Sequence, residues 1–243
     1  MIPRDPLSVR QVTSPCSQRQ DPMQKTPSAL VHKIAPLASS TRGPHPALVL
    51  VHGRGTTEDD LLGLVPYLDP RFLVVSVRAP LRFASGGYTW YNLATVGEPE
   101  PEGFLESHAR FGQFLEEMRS SYPVDPQRIF LLGFSMGSVM SLALALSRPS
   151  EIRGVVAHSG YLPEHSALDF QWERLGGCRF YMAHGTLDPV IPIRFGRRAQ
   201  AILTDQGADL TYREYPIGHT VSEESIGDIA WWLTENLDGQ SKS

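Results

Sequence analysis

The sequence predicts an α/β fold, a mostly parallel central sheet with helices on both faces, and three observations carry that prediction. From residue 47 onward short apolar runs alternate with longer amphipathic ones, the pattern of strands joined by crossover helices. One strand-like run, Arg128-Ile129-Phe130-Leu131-Leu132, is separated from a helix-like stretch starting at Ser138 only by Gly133-Phe134-Ser135-Met136-Gly137. The chain has 243 residues, 41% hydrophobic and 20% charged, enough for one globular domain that buries a sheet on both sides.

Residues 1–28 are rich in Pro, Ser, Gln and Arg without apolar periodicity and read as a disordered extension, within which Met23 is an alternative translation start. One folded domain is expected over residues 29–238, opening on the strand-like Ala29 to Ile34. Further strands are expected at Ala47–His52, Phe72–Val77, Arg128–Leu132, Gly154–His158, Arg179–Ala183 and Leu210–Tyr215. Helices are expected at Phe104–Ser121, Met136–Ser147, Ile193–Asp205 and Ser222–Leu237. The last has Thr220 and Glu223 at capping-box spacing, and Ile226, Ile229, Ala230 and Leu233 on one face. Trp231 and Trp232 on that helix read as core or interface residues. The segment from Phe83 to Gly103, with Glu98, Glu100 and Glu102, reads either as a rim beside a cleft or as an ordinary solvated loop.

Strand, sharp turn and helix form the setting a nucleophile elbow requires. The central Ser takes a strained backbone conformation, and the residues two before and two after crowd it, so both must be Gly. Ser135 is therefore the candidate nucleophile. A base and an orienting acid are expected downstream, acid first. Asp188 lies in the loop His184-Gly185-Thr186-Leu187-Asp188-Pro189-Val190-Ile191-Pro192, beyond the carboxyl end of a strand, where parallel sheets gather their sites. Asp169 and Glu173 precede that strand and Asp209 begins the next one, so position favours Asp188. His219, in the loop before the last helix, is the candidate base. Because a general base must be unprotonated, activity is expected to fall as pH drops below neutral. Attack on a carbonyl also calls for two backbone donors to the oxyanion. Met136 N–H follows from the elbow, and Arg54 N–H, with Gly55 next, from the Gly-rich turn His52-Gly53-Arg54-Gly55. His52 and His184 each precede a Gly and read as structural, bonding loop backbone, and His108 and His158 have no partners at ligand spacing.

Beyond the Ser, Asp and His positions, Arg78-Ala79-Pro80 followed by Gly86-Gly87-Tyr88-Thr89-Trp90-Tyr91, the acid loop around Asp188, and Gly218-His219 occur in the order seen in a known group of proteins. From about residue 30 to 237 the chain resembles the carboxylesterase, phospholipase and acyl-protein thioesterase family of α/β-hydrolases. The resemblance implies a serine esterase that hydrolyses carboxylic esters with short to medium acyl chains through an acyl-enzyme. It implies a small-molecule ester substrate, neither metal nor cofactor, and a homodimer. An acyl-protein thioesterase and a lysophospholipase stay open within the same chemistry, and a ligand-binding module on a hydrolase scaffold is the non-enzyme alternative. Met136 stands where many members carry Gln, which changes pocket shape and leaves the backbone donor intact. A dienelactone hydrolase would want Cys in place of Ser135. Trp90, Tyr91, Leu162, Val190 and Ile191 are candidate substrate-pocket residues, with simple packing the competing reading for each.

Bulk properties narrow the partners. The net charge of −4 and the lack of a Lys/Arg run give no basic surface for nucleic acid or for a membrane. Cys16 and Cys178, far apart and without CxxC or His-rich company, suggest neither a disulfide framework nor a zinc site. The N-terminus lacks the apolar core of a signal peptide, and no run approaches the roughly 18 apolar residues that would cross a bilayer. A soluble, cytoplasmic protein without stable membrane insertion is expected.

Overall fold

The computed structural model of the protein describes residues 28–37 and 43–237. The predicted N-terminal extension, apart from Ser28, lies outside the described residues, as do Cys16, Met23 and residue 238. The main sheet has seven strands: β1 (His32–Ile34), β2 (His45–Val51), β3 (Leu73–Val77), β4 (Val124–Phe134), β5 (Gly154–His158), β6 (Arg179–Gly185) and β7 (Asp209–Tyr215). Their order is β1-β3-β2-β4-β5-β6-β7, parallel throughout except for β1, which runs antiparallel to β3. The long helices are α1 (Pro101–Ser121), α2 (Met136–Ser147), α3 (Ile193–Asp205) and α4 (Glu223–Leu237).

The central strands read as unbroken apolar runs because both of their faces are covered, and all seven residues of β2 are buried. Successive side chains point to opposite faces. Val49, Val51, Leu131 and Val155 face a core shared with Phe104, Phe111, Leu142 and Leu203, whereas Leu48, Leu50, Leu132 and Val156 face Ile226, Ile229 and Leu233 of α4. Helix α2 lies between the sheet and α1 and is buried at every position from Met136 to Leu146, which explains its nearly all-apolar sequence.

Several boundaries differ from the sequence reading for reasons visible in the pairing. β4 begins at Val124, four residues early, because Val124 pairs with His45 across an irregularity that precedes the regular ladder. β6 continues to Gly185 because β7 stays in register with it as far as Tyr215. The expected cap of the last helix is displaced: Ser222 Oγ accepts from Ser225 N–H (3.1 Å) and Ser225 Oγ accepts from Ser222 N–H (2.9 Å), a reciprocal serine pair in place of Thr220 and Glu223. On that helix Trp232 is buried against Tyr181, ring centroids 5.7 Å apart, whereas Trp231 is 65% exposed. The segment from Phe83 to Gly103, read as a rim or a solvated loop, folds into the end of one small hairpin (Leu81–Arg82 with Tyr88–Thr89), a second (Leu93–Thr95 with Glu98–Pro99), and the start of α1. Two of its three acidic residues are engaged there, Glu100 capping α1 through Glu102 N–H and Gly103 N–H (both 2.8 Å) and Glu98 accepting from Thr95 Oγ1. A 3-10 segment at Asp60–Tyr67 escaped the sequence reading because Gly63 and Pro66 break any α-helical period in it. No described helix is long and apolar enough to cross a membrane.

Candidate active site

Strand β4 delivers Ser135 into a backbone conformation with φ 54° and ψ −118°, in the positive-φ region that a non-Gly residue occupies only when its surroundings dictate it. Those surroundings are tight. A Cβ on Gly133 would overlap the Gly137 carbonyl, and a Cβ on Gly137 would overlap the carbonyl of Val51 at the end of β2. The turn is tied down further by Ser135 N–H donating to His158 O (2.9 Å) and by Ser138 Oγ lying 2.7 Å from both Gly133 O and His158 O.

The acid and base loops are stitched together beyond β6 and β7. Thr186 N–H donates to Tyr215 O (2.8 Å) and Leu187 N–H to Ile217 O (3.0 Å), and Gly185 leaves no room for a Cβ beside the carbonyls of Ile217 and Gly218. This places His219 between the two other groups: Nδ1 is 2.7 Å from Asp188 Oδ2 and Nε2 is 3.0 Å from Ser135 Oγ. The Phe134 ring packs on the imidazole at 4.9 Å. Asp188 Oδ1 accepts from Val190 N–H (2.8 Å) and Ile191 N–H (2.9 Å), contacts the sequence reading missed although an Asp bonding backbone two residues on is the signature of an Asx turn. Burial works to raise the Asp188 carboxyl pKa, but hydrogen bonds from His219, Ile191 and Val190 outweigh it and hold the group below the ordinary carboxylate range. With the carboxylate ionised, Nδ1 carries the ring proton and Nε2 is free to accept from Ser135.

Two further histidines brace the loops. His184 Nε2 lies 2.7 Å from Ile191 O and 3.6 Å from Asp188 Oδ2, and its buried Nδ1 has no hydrogen-bond partner among the described residues. His158 is buried between Ser159 Oγ and Ser225 Oγ, and burial pushes its pKa down to about 3.

Arg54 and Met136, the two expected backbone donors, lie in the turn after β2 and at the start of α2. Met136 is the first residue of α2, so its N–H has no intrahelical acceptor. Arg54 N–H has no hydrogen-bond partner among the described residues, whereas Gly55 N–H, the second choice from sequence, is taken by Tyr88 O (2.8 Å). The Arg54 side chain is exposed, its guanidinium 5.2 Å from the centre of the Phe83 ring. Met136 Sδ rests against Thr89 Oγ1.

Of the five residues expected to line a pocket, Trp90, Tyr91, Leu162 and Ile191 are buried in one apolar cluster. Trp90 and Tyr91 are 0% exposed and belong to the core: Trp90 Nε1 donates to His52 O (2.9 Å), and the Tyr91 hydroxyl is 3.0 Å from that of Tyr161. Ile191 is buried and contributes backbone to the acid loop, Val190 is half exposed, and Leu162 borders a cavity of about 150 Å³ with Val96, Tyr161 and Phe195. A larger cavity of about 870 Å³, lined by β1, the start of β3 and the segment after Asp60, touches none of these residues. Among the described residues there is no group of three or more His, Cys, Asp or Glu side chains that could hold a metal ion.

A family model described as phospholipase/carboxylesterase matches residues 32–237. Acyl-protein thioesterase 1 of Candida albicans is 25% identical over 206 residues, covering 75% of this chain and 88% of the relative. Acyl-protein thioesterase 1 of Cryptococcus neoformans is 25% identical over 242 residues, covering 87% and 99%. Among solved structures, a carboxylesterase from Mesorhizobium loti superposes with a TM-score of 0.76 at 22% identity, covering 86% of this chain and 96% of that one. The Bacillus cereus carboxylesterase gives 0.74 at 22%, covering 85% and 94%. At that identity the structural likeness concerns the fold.

Proposed function

The chain belongs to the phospholipase/carboxylesterase family of α/β-hydrolases and is a serine hydrolase of the carboxylesterase type, and from that premise we propose that it cleaves carboxylic esters with short to medium acyl chains through an acyl-enzyme on Ser135. The observation that carries this reading is the unbroken hydrogen-bond path from Ser135 Oγ through His219 to Asp188, 3.0 Å and 2.7 Å per link. Ser135 Oγ attacks the ester carbonyl carbon as its proton passes to His219 Nε2, and Asp188 stabilises the imidazolium and fixes the ring tautomer. The carbonyl oxygen becomes an oxyanion held by the N–H groups of Arg54 and Met136. Collapse breaks the bond to the alcohol, which leaves with the proton from His219, and a water deprotonated by the same nitrogen then hydrolyses the acyl-serine.

The names of the relatives support a second reading within this chemistry, cleavage of acyl thioesters on protein cysteines. A series of nitrophenyl esters from acetate to laurate, run beside matched thioesters, separates the two. The proposal predicts the highest kcat/KM at short to medium chains with esters at least equal to thioesters. A maximum at laurate with thioesters preferred refutes it in favour of the thioesterase, and a folded protein that turns over nothing refutes it in favour of a binding module. A homodimer, measured by sedimentation, is part of the same proposal.

A further inference from the structure

We propose that His52 is a positioning residue that aims the Arg54 N–H at the developing oxyanion, an inference that rests on the serine-hydrolase reading of the site. His52 follows directly after β2 and is fully buried. Ala79 N–H donates to its Nε2 (3.0 Å), so that nitrogen carries no proton. The proton of the neutral ring therefore sits on Nδ1, which lies 2.6 Å from Gly53 O and donates to it. The Thr56 hydroxyl supports the same pair, 3.0 Å from Nδ1 and 3.3 Å from Gly53 O. Burial lowers the pKa of the ring, so Nε2 remains an acceptor at neutral pH.

The consequence follows from peptide geometry. The Gly53–Arg54 bond is trans, since the one cis bond among the described residues is Gly43–Pro44. In a planar trans peptide the C=O and the N–H point in opposite directions. A carbonyl of Gly53 held by the buried ring turns the Arg54 N–H the other way, and that N–H has no acceptor among the described residues. This peptide lies beside the nucleophile: a Cβ on Gly53 would come within 3.4 Å of Ser135 Cβ. Trp90 Nε1, bonded to His52 O, fixes the preceding carbonyl and completes the clamp.

The two ring nitrogens can be removed one at a time, because an Asn amide reaches where Nδ1 stands and a Gln amide where Nε2 stands. His52→Asn keeps a donor for Gly53 O and leaves Ala79 N–H unpaired, whereas His52→Gln keeps an acceptor for Ala79 N–H and leaves Gly53 O only the longer contact from the Thr56 hydroxyl. The expected result is a kcat for His52→Asn within about threefold of the unmodified protein, and a loss of about 10–100-fold for His52→Gln at nearly unchanged KM. Affinity for a trifluoromethyl ketone, which forms an oxyanion when Ser135 adds to it, should fall in step with kcat. A purely structural role predicts that both variants lose activity together, following Tm, and that result overturns the proposal. If either variant fails to fold, Thr56→Val removes the supporting hydroxyl: about a threefold fall in kcat at constant KM supports the assignment, and an unchanged kcat overturns it. Ser135→Ala separates the failures. Turnover that survives it refutes the site itself, whereas its loss alongside equal Asn and Gln variants refutes only the aiming role.

Discussion

Asp188→Asn is the most informative single replacement because the surrounding contacts dictate how the amide must sit. Asp188 Oδ1 accepts from Val190 N–H and Ile191 N–H at 2.8 and 2.9 Å, so the amide oxygen of Asn occupies that position and the NH2 group turns toward His219. The ring nitrogen it meets, 2.7 Å away, must then be an acceptor. His219 is forced into the tautomer with its proton on Nε2, directed at Ser135 Oγ, and in that form it accepts no proton from the serine. Returning to the productive tautomer places N–H against N–H across the 2.7 Å contact. The expected loss is about 10³–10⁴-fold in kcat, equivalent to about 4–5.5 kcal/mol in the barrier. The two backbone bonds survive, so the fold should lose no more than about 1–3 kcal/mol. The assay is steady-state ester hydrolysis at pH 8 with Tm measured in parallel. A variant within tenfold of full kcat, in a protein that His219→Ala inactivates, would show that a group other than Asp188 orients the base.

Acid stability offers a second test. Burial pushes His158 down to about 3 and His108 to about 4, below the ordinary imidazole value of 6.5. Below pH 6.5 the unfolded chain takes up protons that the folded chain refuses, so stability is lost as pH falls toward the folded values. Between pH 6.5 and 5 each ring should cost about 1.5–2 kcal/mol, about 3–4 together. The lowered Asp188 carboxyl adds a further loss only below its ordinary value of 3.8. Denaturant titrations at pH 6.5 and 5 that agree within 1 kcal/mol would contradict this. Two glycines should respond in opposite directions: Gly137→Ala, whose Cβ would overlap the Val51 carbonyl, should cost about 3 kcal/mol or more and abolish turnover. Gly227→Ala in α4, where the added Cβ would meet nothing beyond its own helix backbone within 4 Å, should stabilise by about 0.5–1 kcal/mol, and thermal melts of both variants decide the point.

Much of this architecture was legible in the sequence because it rests on short-range rules. Central parallel strands must be apolar on both faces, so Gly154–His158 could be bounded to the residue, and the spacing of Gly133 and Gly137 about Ser135 follows from a turn that admits no Cβ at either position. The chain order of Ser135, Asp188 and His219 was legible for a related reason: each follows a strand that ends at the same edge of the sheet. Long-range packing was not legible. Trp90 and Tyr91 sit in a loop-like sequence, yet contacts to His52, Phe111, Phe104 and Tyr161 draw them into the core, and no local pattern encodes those partners. The cap of α4 failed for a smaller reason. Ser222, Ser225 and Thr220 are all competent side-chain acceptors, and the choice among them depends on where the chain turns after Gly218.

The proposed chemistry requires that Ser135 be activated by His219 and Asp188. The most direct measurement is intact-mass analysis after brief exposure to a fluorophosphonate at neutral pH, followed by mapping of the modified peptide. A single adduct on Ser135 is expected, absent in Ser135→Ala and formed far more slowly in His219→Ala. A protein that stays unmodified, or one labelled equally well without Ser135, would contradict it.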